Sequence, residues 1–216
     1  MFARLRAALA ALPGGDVGVP PGGRLAAALV LLRDAGDGDL EIVYTRRRPD
    51  LRAHPGQISF PGGRVDPGET VEQAALREAA EEVALRPDTA VVLGRLPGGF
   101  IPPSRFWLQP VVAQWAAPHP LVAAEAEVAE VLHVRVSALR RRGAWHTVRL
   151  STGWSWAWRL DGDHLLWGAT ALVTTVLLGL LDPDWSGGAA PADFAHRELR
   201  PWADPPAPPP PPPPGP

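Results

Sequence analysis

Three carboxylates and an arginine stand close together in this chain, as Arg77, Glu78, Glu81 and Glu82. The residues around them read as a helix. At 3.6 residues per turn, Glu78 and Glu82 share one face and Glu81 lies beside them. Like charges at this spacing repel and destabilise a bare helix. The ridge therefore asks for a cation. A hard divalent ion such as Mg²⁺ prefers oxygen ligands and often takes a substrate phosphate as well. The expected chemistry is metal-assisted attack on a phosphate compound.

The elements that must hold this ridge are legible on either side. The helix starts near Thr70, an N-cap, with Gln73 as its capping-box partner, and Pro87 ends it. Pro61-Gly62-Gly63 predicts a turn and Pro67-Gly68 a second one. Upstream, residues 25–32 and 40–45 predict two strands joined by a hairpin, then a polar loop over 46–55 and a short strand over 57–60. Downstream, 91–96 and 106–114 predict strands around a Gly/Pro-rich loop at 97–105. A strand over 128–136, a short helix over 137–141, a β-hairpin of 145–150 with 154–160 and a closing helix over 168–181 follow. Trp154, Trp156 and Trp158 alternate as a half-buried strand does, and with Trp145 they are expected in the core. The fold class expected is α+β, a layered α/β/α arrangement with a mixed central sheet flanked by helices.

Composition narrows the function classes. Formal net charge is -2, so no basic excess recommends nucleic acid as a partner. There are 0 cysteines, which removes disulfides, thiol catalysis and thiolate metal sites and fits a reducing, cytoplasmic setting. Residues 1–12 carry two arginines and a short apolar run ended by Pro13-Gly14-Gly15, a surface helix rather than a signal peptide. Residues 165–181 are apolar but fall short of the roughly 20 needed to span a bilayer, so no membrane role is expected. Residues 1–24 read as an N-terminal helix and linker, 25–182 as the folded domain, and 183–216 as a proline-rich tail unable to build a core.

Gly63, Glu69, Arg77-Glu78, Ala80, Glu81-Glu82 and Leu85 together resemble the Nudix box, the signature of hydrolases of nucleoside diphosphates linked to another moiety. Ala84 departs from it, since the pattern usually has glycine there. Upstream, Thr45-Arg46-Arg47-Arg48, Leu51 and then His54-Pro55-Gly56-Gln57-Ile58-Ser59-Phe60-Pro61-Gly62-Gly63 resemble the extra signature of the coenzyme A pyrophosphatase branch, roughly L-L-T-x-R and L-x-x-H-x-G-Q-x-x-F-P-G-G. Arg105 stands where that branch usually has glycine.

The resemblance implies Mg²⁺ or Mn²⁺ as cofactor, with Glu78 and Glu82 as first ligands, Glu81 next, and a backbone carbonyl at Gly63. Arg77 is expected to point away from the metal face and to pair with Glu69, and Gly62 and Gly63 to supply backbone freedom. The catalytic base it implies is a Glu of the box or a residue from a distant loop, with Glu81 and Glu127 as the candidates. Arg46, Arg47 and Arg48 could meet substrate phosphates, with Arg46 favoured and Arg48 beside it; His54 and Gln57 orient the loop or touch the ligand. His164 is expected to cap the last helix. The activity implied is cleavage of the diphosphate of coenzyme A or acyl-CoA, a small nucleotide substrate, to 4′-phosphopantetheine (or its acyl form) and adenosine 3′,5′-bisphosphate. Hydrolysis of ADP-ribose or NADH is the alternative. A non-catalytic nucleotide-binding module fits less well, because a sensor has no need of the full acidic ridge. A homodimer is left open.

Overall fold

Residues 24–34 dictate the architecture. Ala27 to Leu32 are all buried, so side chains on both faces of this strand are covered. Such a strand belongs in the middle of a sheet that has layers on both sides. The computed structural model describes residues 1–12, 23–101, 105–141, 144–150, 153–160, 164–182 and 185. In it, β1 (Arg24–Asp34) is central: it pairs antiparallel with β2 (Leu40–Arg47) and parallel with β7 (Phe106–Trp115). The sheet runs β3 (Ile58–Ser59), β2, β1, β7, β5 (Ala90–Arg95). Three more strands join it: β4 (Gly62–Arg64) on β1, β6 (Gly99–Ile101) on β7, and β8 (Val128–Arg135) on β2. A separate antiparallel sheet holds β9 (Trp145–Leu150), β10 (Gly153–Arg159) and β11 (Leu165–Trp167).

Ala27, Leu29 and Leu31 face α2 (Val71–Val83), whose Val71, Ala74, Ala75, Ala79 and Val83 form the stripe beneath it. Ala28, Val30 and Leu32 face the opposite layer with α1 (Phe2–Ala11), α3 (Val136–Arg140) and α4 (Gly168–Leu181). Leu5 and Leu9 of α1 lie in that core, so the first helix belongs to the same packed body as the sheet. The result is the α+β class, a mixed sheet with helices on both faces. Among the described residues no helix is long and apolar enough to cross a membrane.

Several expectations need correction. Arg46 and Arg47 are the end of β2, not the start of a loop. Gly62 and Gly63 open a strand rather than a turn, because β4 finds backbone partners on β1 at Ala27 and Ala28. The 97–105 loop contains β6, and β11 was not expected. Trp158 is fully buried, its Nε1 donating to the Leu139 carbonyl at 3.0 Å. The linker at 13–22, the hairpin turn at 151–152 and the tail from 186 lie outside the described residues.

The capping box on α2 is present: the Gln73 N–H donates to Thr70 Oγ1, and the Thr70 N–H to Gln73 Oε1. The helix stops before Pro87, however, at Ala84, which takes φ 54° and ψ 33°. That is the left-handed conformation in which glycine ordinarily closes a helix. Arg105, at φ 55°, is also left-handed. The two departures from the glycine pattern thus keep the glycine backbone with other side chains. A left-handed non-glycine residue costs about 1–2 kcal/mol. Ala84 is exposed and its methyl packs in no core cluster. Ala84→Gly is therefore expected to stabilise the protein by about 1 kcal/mol, raising the melting temperature by about 2–4 °C. A melting curve that is unchanged or lower would contradict the strain argument.

Candidate metal centre

The site forms where α2 crosses β4. Buried alanines at 74, 75 and 79 leave room for the helix to lie low on the sheet. Gly62 and Gly63 complete the approach. Neither has a positive φ, so the backbone freedom expected of them is not what they supply. Their role is steric. A Cβ on Gly62 would overlap the Ala27 carbonyl oxygen and lie 2.7 Å from Ala28 Cα. A Cβ on Gly63 would fall on the Glu78 carboxylate, 2.6 Å from Oε2.

Glu82 is only 6% exposed. Its Oε2 accepts the Gly62 N–H at 3.2 Å, and its Oε1 lies 3.8 Å from Arg47 Nη1. Burial pushes its pKa up to about 7, against the pull of the Gly62 N–H and Arg47; the Glu78 and Glu127 carboxylates push the same way as burial. Burial also raises Glu78. Glu81 is 59% exposed, at the outer edge of the ridge. Glu127 is 55% exposed and approaches Arg47 Nη1 at 3.9 Å. The turn that carries Glu127 is tied to the end of β2 by the Arg48 N–H, which donates to the Glu127 carbonyl at 2.9 Å.

Arg77 is a brace. Its Nε and Nη2 donate to the two oxygens of Glu69 at 2.9 and 3.1 Å, and Nη2 also to the Arg64 carbonyl at 2.9 Å. These bonds hold Glu69 below the usual carboxylate range. Arg77 does not point away from the acidic face, as had been expected. Its Nη1 donates to Glu78 at 2.9 Å and reaches Glu81 at 3.3 Å, because both lie within its reach on the same turn.

The other expected residues divide. Arg46 donates to Glu130 at 3.1 Å, and His164 lies 3.2 Å from the same carboxylate. His164 therefore does not cap α4, whose N-cap is Trp167 without a side-chain bond. Arg48 grips Asp50 with two bonds at 2.8 and 2.7 Å and donates to the Glu125 carbonyl. His54 and Gln57 pair with each other at 3.0 Å on the loop below β2. Arg47 is the residue that sequence reasoning passed over in favour of Arg46. Counted from Thr45, the arginine of L-L-T-x-R falls on Arg47, and that was the available signal. A register shift in the β2–β8 pairing falls between Arg46 and Arg47.

Among the described residues no three His, Asp or Glu side chains converge as a ready cation cage; Glu78 and Glu81 lean on Arg77 instead. The donor chemistry nonetheless fits a hard divalent ion. Glu82 is a buried carboxylate with one backbone donor, and Glu78 lies in a cradle that any Cβ at residue 63 would fill. Carboxylate oxygens are the ligands such an ion takes.

The site is thus an acidic helix lying low on a glycine-lined strand of a mixed sheet. The family model for the NUDIX domain matches residues 23–151. The chain belongs to the NUDIX family. It is 36% identical over 146 residues to the protein named Uncharacterized Nudix hydrolase NudL of Citrobacter koseri, covering 67% of this chain and 70% of that one. Its NudL counterpart in Enterobacter sp. (strain 638) is 35% identical over 127 residues, 58% of this chain, and there the match spans 62% of the relative's length. The peroxisomal coenzyme A diphosphatase ndx-8 of Caenorhabditis elegans is 32% identical over 161 residues, 72% of this chain and 68% of that one. Among solved structures, a MutT/nudix family protein from Enterococcus faecalis superposes with a TM-score of 0.50 at 21% identity, covering 79% of this chain and 65% of that one.

Proposed function

We propose that this chain is a divalent-metal-dependent pyrophosphohydrolase that cleaves the diphosphate of coenzyme A or acyl-CoA. The products are 4′-phosphopantetheine, or its acyl form, and adenosine 3′,5′-bisphosphate. The observation that carries the reading is a buried carboxylate, Glu82, beside a half-buried one, Glu78, both set against Gly62 and Gly63 in a chain of the NUDIX family. The coenzyme A preference draws on the His54 to Gly63 sequence and on the name of the nematode relative. We take 25–182, with α1 packed onto it through Leu5 and Leu9, as the hydrolase domain. We place it in the cytoplasm, on the grounds of its lack of cysteine.

In this reading Glu82, Glu78 and Glu81, with the carbonyl of Gly63, hold Mg²⁺ or Mn²⁺. A divalent ion held there would supply charge neutralisation for the diphosphate and activation of the attacking water. Arg77 fixes Glu78 by hydrogen bond and keeps the loop from Arg64 to Glu69 closed on the helix. In this reading Glu127 or Glu81, both of them exposed, takes the proton of the attacking water. His54 and Gln57 shape the loop at the mouth.

Purified protein incubated with coenzyme A and Mg²⁺ is expected to yield adenosine 3′,5′-bisphosphate, resolved by chromatography. Inert coenzyme A beside brisk turnover of ADP-ribose or NADH would move the assignment to the second reading, a hydrolase of other nucleoside diphosphate derivatives. One observation favours that reading: Arg46 and Arg48, two of the expected phosphate contacts, are already held by Glu130 and Asp50.

A further inference from the structure

The arginines around the acidic ridge are not equivalent. Arg46, Arg48 and Arg77 each donate side-chain hydrogen bonds to a carboxylate at 3.1 Å or less. Arg47 does not. Its Nη1 stands 3.8 Å from Glu82 and 3.9 Å from Glu127, ion-pair distances too long for hydrogen bonds. Its Nε is buried with no partner. A buried donor left unmet costs about 1–3 kcal/mol, so the guanidinium is held there by charge rather than by directed bonds. Glu82, Glu78 and Glu127 crowd negative charge at one point, and Arg47 is a single positive charge shared between two of them. A cation that binds carboxylates through directed coordination would outcompete it.

We propose that Arg47 is a positioning residue that stands in for the divalent cation: it keeps Glu82 and Glu127 together when no metal is bound and sets how tightly the metal binds. This rests on the reading of Glu82 as a metal ligand. Two consequences follow. Without Arg47 the metal-free protein keeps a buried carboxylate with no counter-charge, and its stability falls. The same loss removes a like charge from beside the incoming ion, so metal affinity rises.

The test is calorimetric titration of the full chain with Mn²⁺, in the absence of substrate, for the parent protein, Arg47→Gln and Glu82→Gln. Arg47→Gln is expected to bind Mn²⁺ about tenfold more tightly than the parent, as the removal of one repelling charge in a partly shielded site implies. Its melting temperature without metal should fall, and saturating Mn²⁺ should restore it to the parent's value. Arg47→Lys, which keeps the charge, should bind Mn²⁺ within about threefold of the parent. Unchanged or weaker binding by Arg47→Gln, with binding lost in Glu82→Gln, overturns the proposal while leaving the metal site in place. Parent-like Mn²⁺ binding by Glu82→Gln overturns the site and the proposal together. If Arg47→Gln does not fold, the parent protein decides: the Arg47 Nε–H resonance, assigned by its loss in Arg47→Lys, should shift with the Mg²⁺ binding isotherm. A resonance unmoved at saturating Mg²⁺ overturns the proposal.

Discussion

Glu82→Gln is expected to lower turnover at least about a hundredfold, equivalent to about 2.7 kcal/mol of lost transition-state stabilisation, while leaving the fold intact. Glutamine matches glutamate in size, and its Oε1 can still accept the Gly62 N–H. What disappears is one negative charge in a buried position. In the metal-free fold burial and the neighbouring carboxylates disfavour that charge, which outweighs the support it draws from the Gly62 N–H and Arg47. Glu78 and Glu82 also cease to repel across one turn of α2, a relief of a few tenths of a kcal/mol. Melting temperature should therefore hold or rise slightly as activity collapses. Turnover within about threefold of the parent at saturating Mg²⁺, or outright unfolding, would make Glu82 a structural residue.

The two adjacent glycines should fail in different ways. In Gly62→Ala the new methyl meets the backbone of β1, which has nowhere to move. Either β4 leaves the sheet or β1 shifts, and overpacking of this kind costs about 1–3 kcal/mol or more. A melting temperature lower by about 5–10 °C is expected. In Gly63→Ala the methyl meets the end of a flexible side chain, the Glu78 carboxylate. Glu78 can swing aside, so the fold should survive, but the carboxylate leaves its cradle. Turnover should drop on the order of a hundredfold, with a higher Mg²⁺ requirement. Melting curves and metal-dependent rates on both variants check the contrast. Equal loss of stability in the two would show that both glycines serve the sheet alone.

What the sequence revealed follows the range of the interaction concerned. Thr70 and Gln73 cap α2 as their spacing predicts, because a capping box is local. Residues 168–181 form the last helix as expected, since an apolar run beginning at Gly168 needs little context. Glu78 and Glu82 share a face because helical geometry alone puts them there. Gly62 and Gly63 misled because two glycines after a proline look like a turn, whereas their purpose lies in backbone and side chains distant in sequence. Arg77 was read through one partner, although a guanidinium carries several donors and here uses them on Glu69, Glu78 and the Arg64 carbonyl. Arg46 and Arg47 could not be told apart by residue type. Only the end of β2 and its pairing with β8 decide which one turns toward Glu82.

The parallel pairing of β1 with β7 has a further consequence. Arg24 lies against Phe106 and Leu32 against Gln114, so everything between the two strands is a covalent loop closed by that contact. The acidic helix and its glycine strand sit inside this loop. Parallel ladders join segments distant along the chain, and the entropy of closing such a loop must be met before the contacts can reward it. Folding should therefore be slow relative to helical proteins of similar size, with α2 able to form early but without a surface to lie on. A fragment ending before Phe106 would contain Glu69, Arg77, Glu78, Glu81 and Glu82 and still lack the strand that seals the sheet beneath them. The acidic signature of this chain is contiguous in sequence, yet it cannot be cut out as a working peptide.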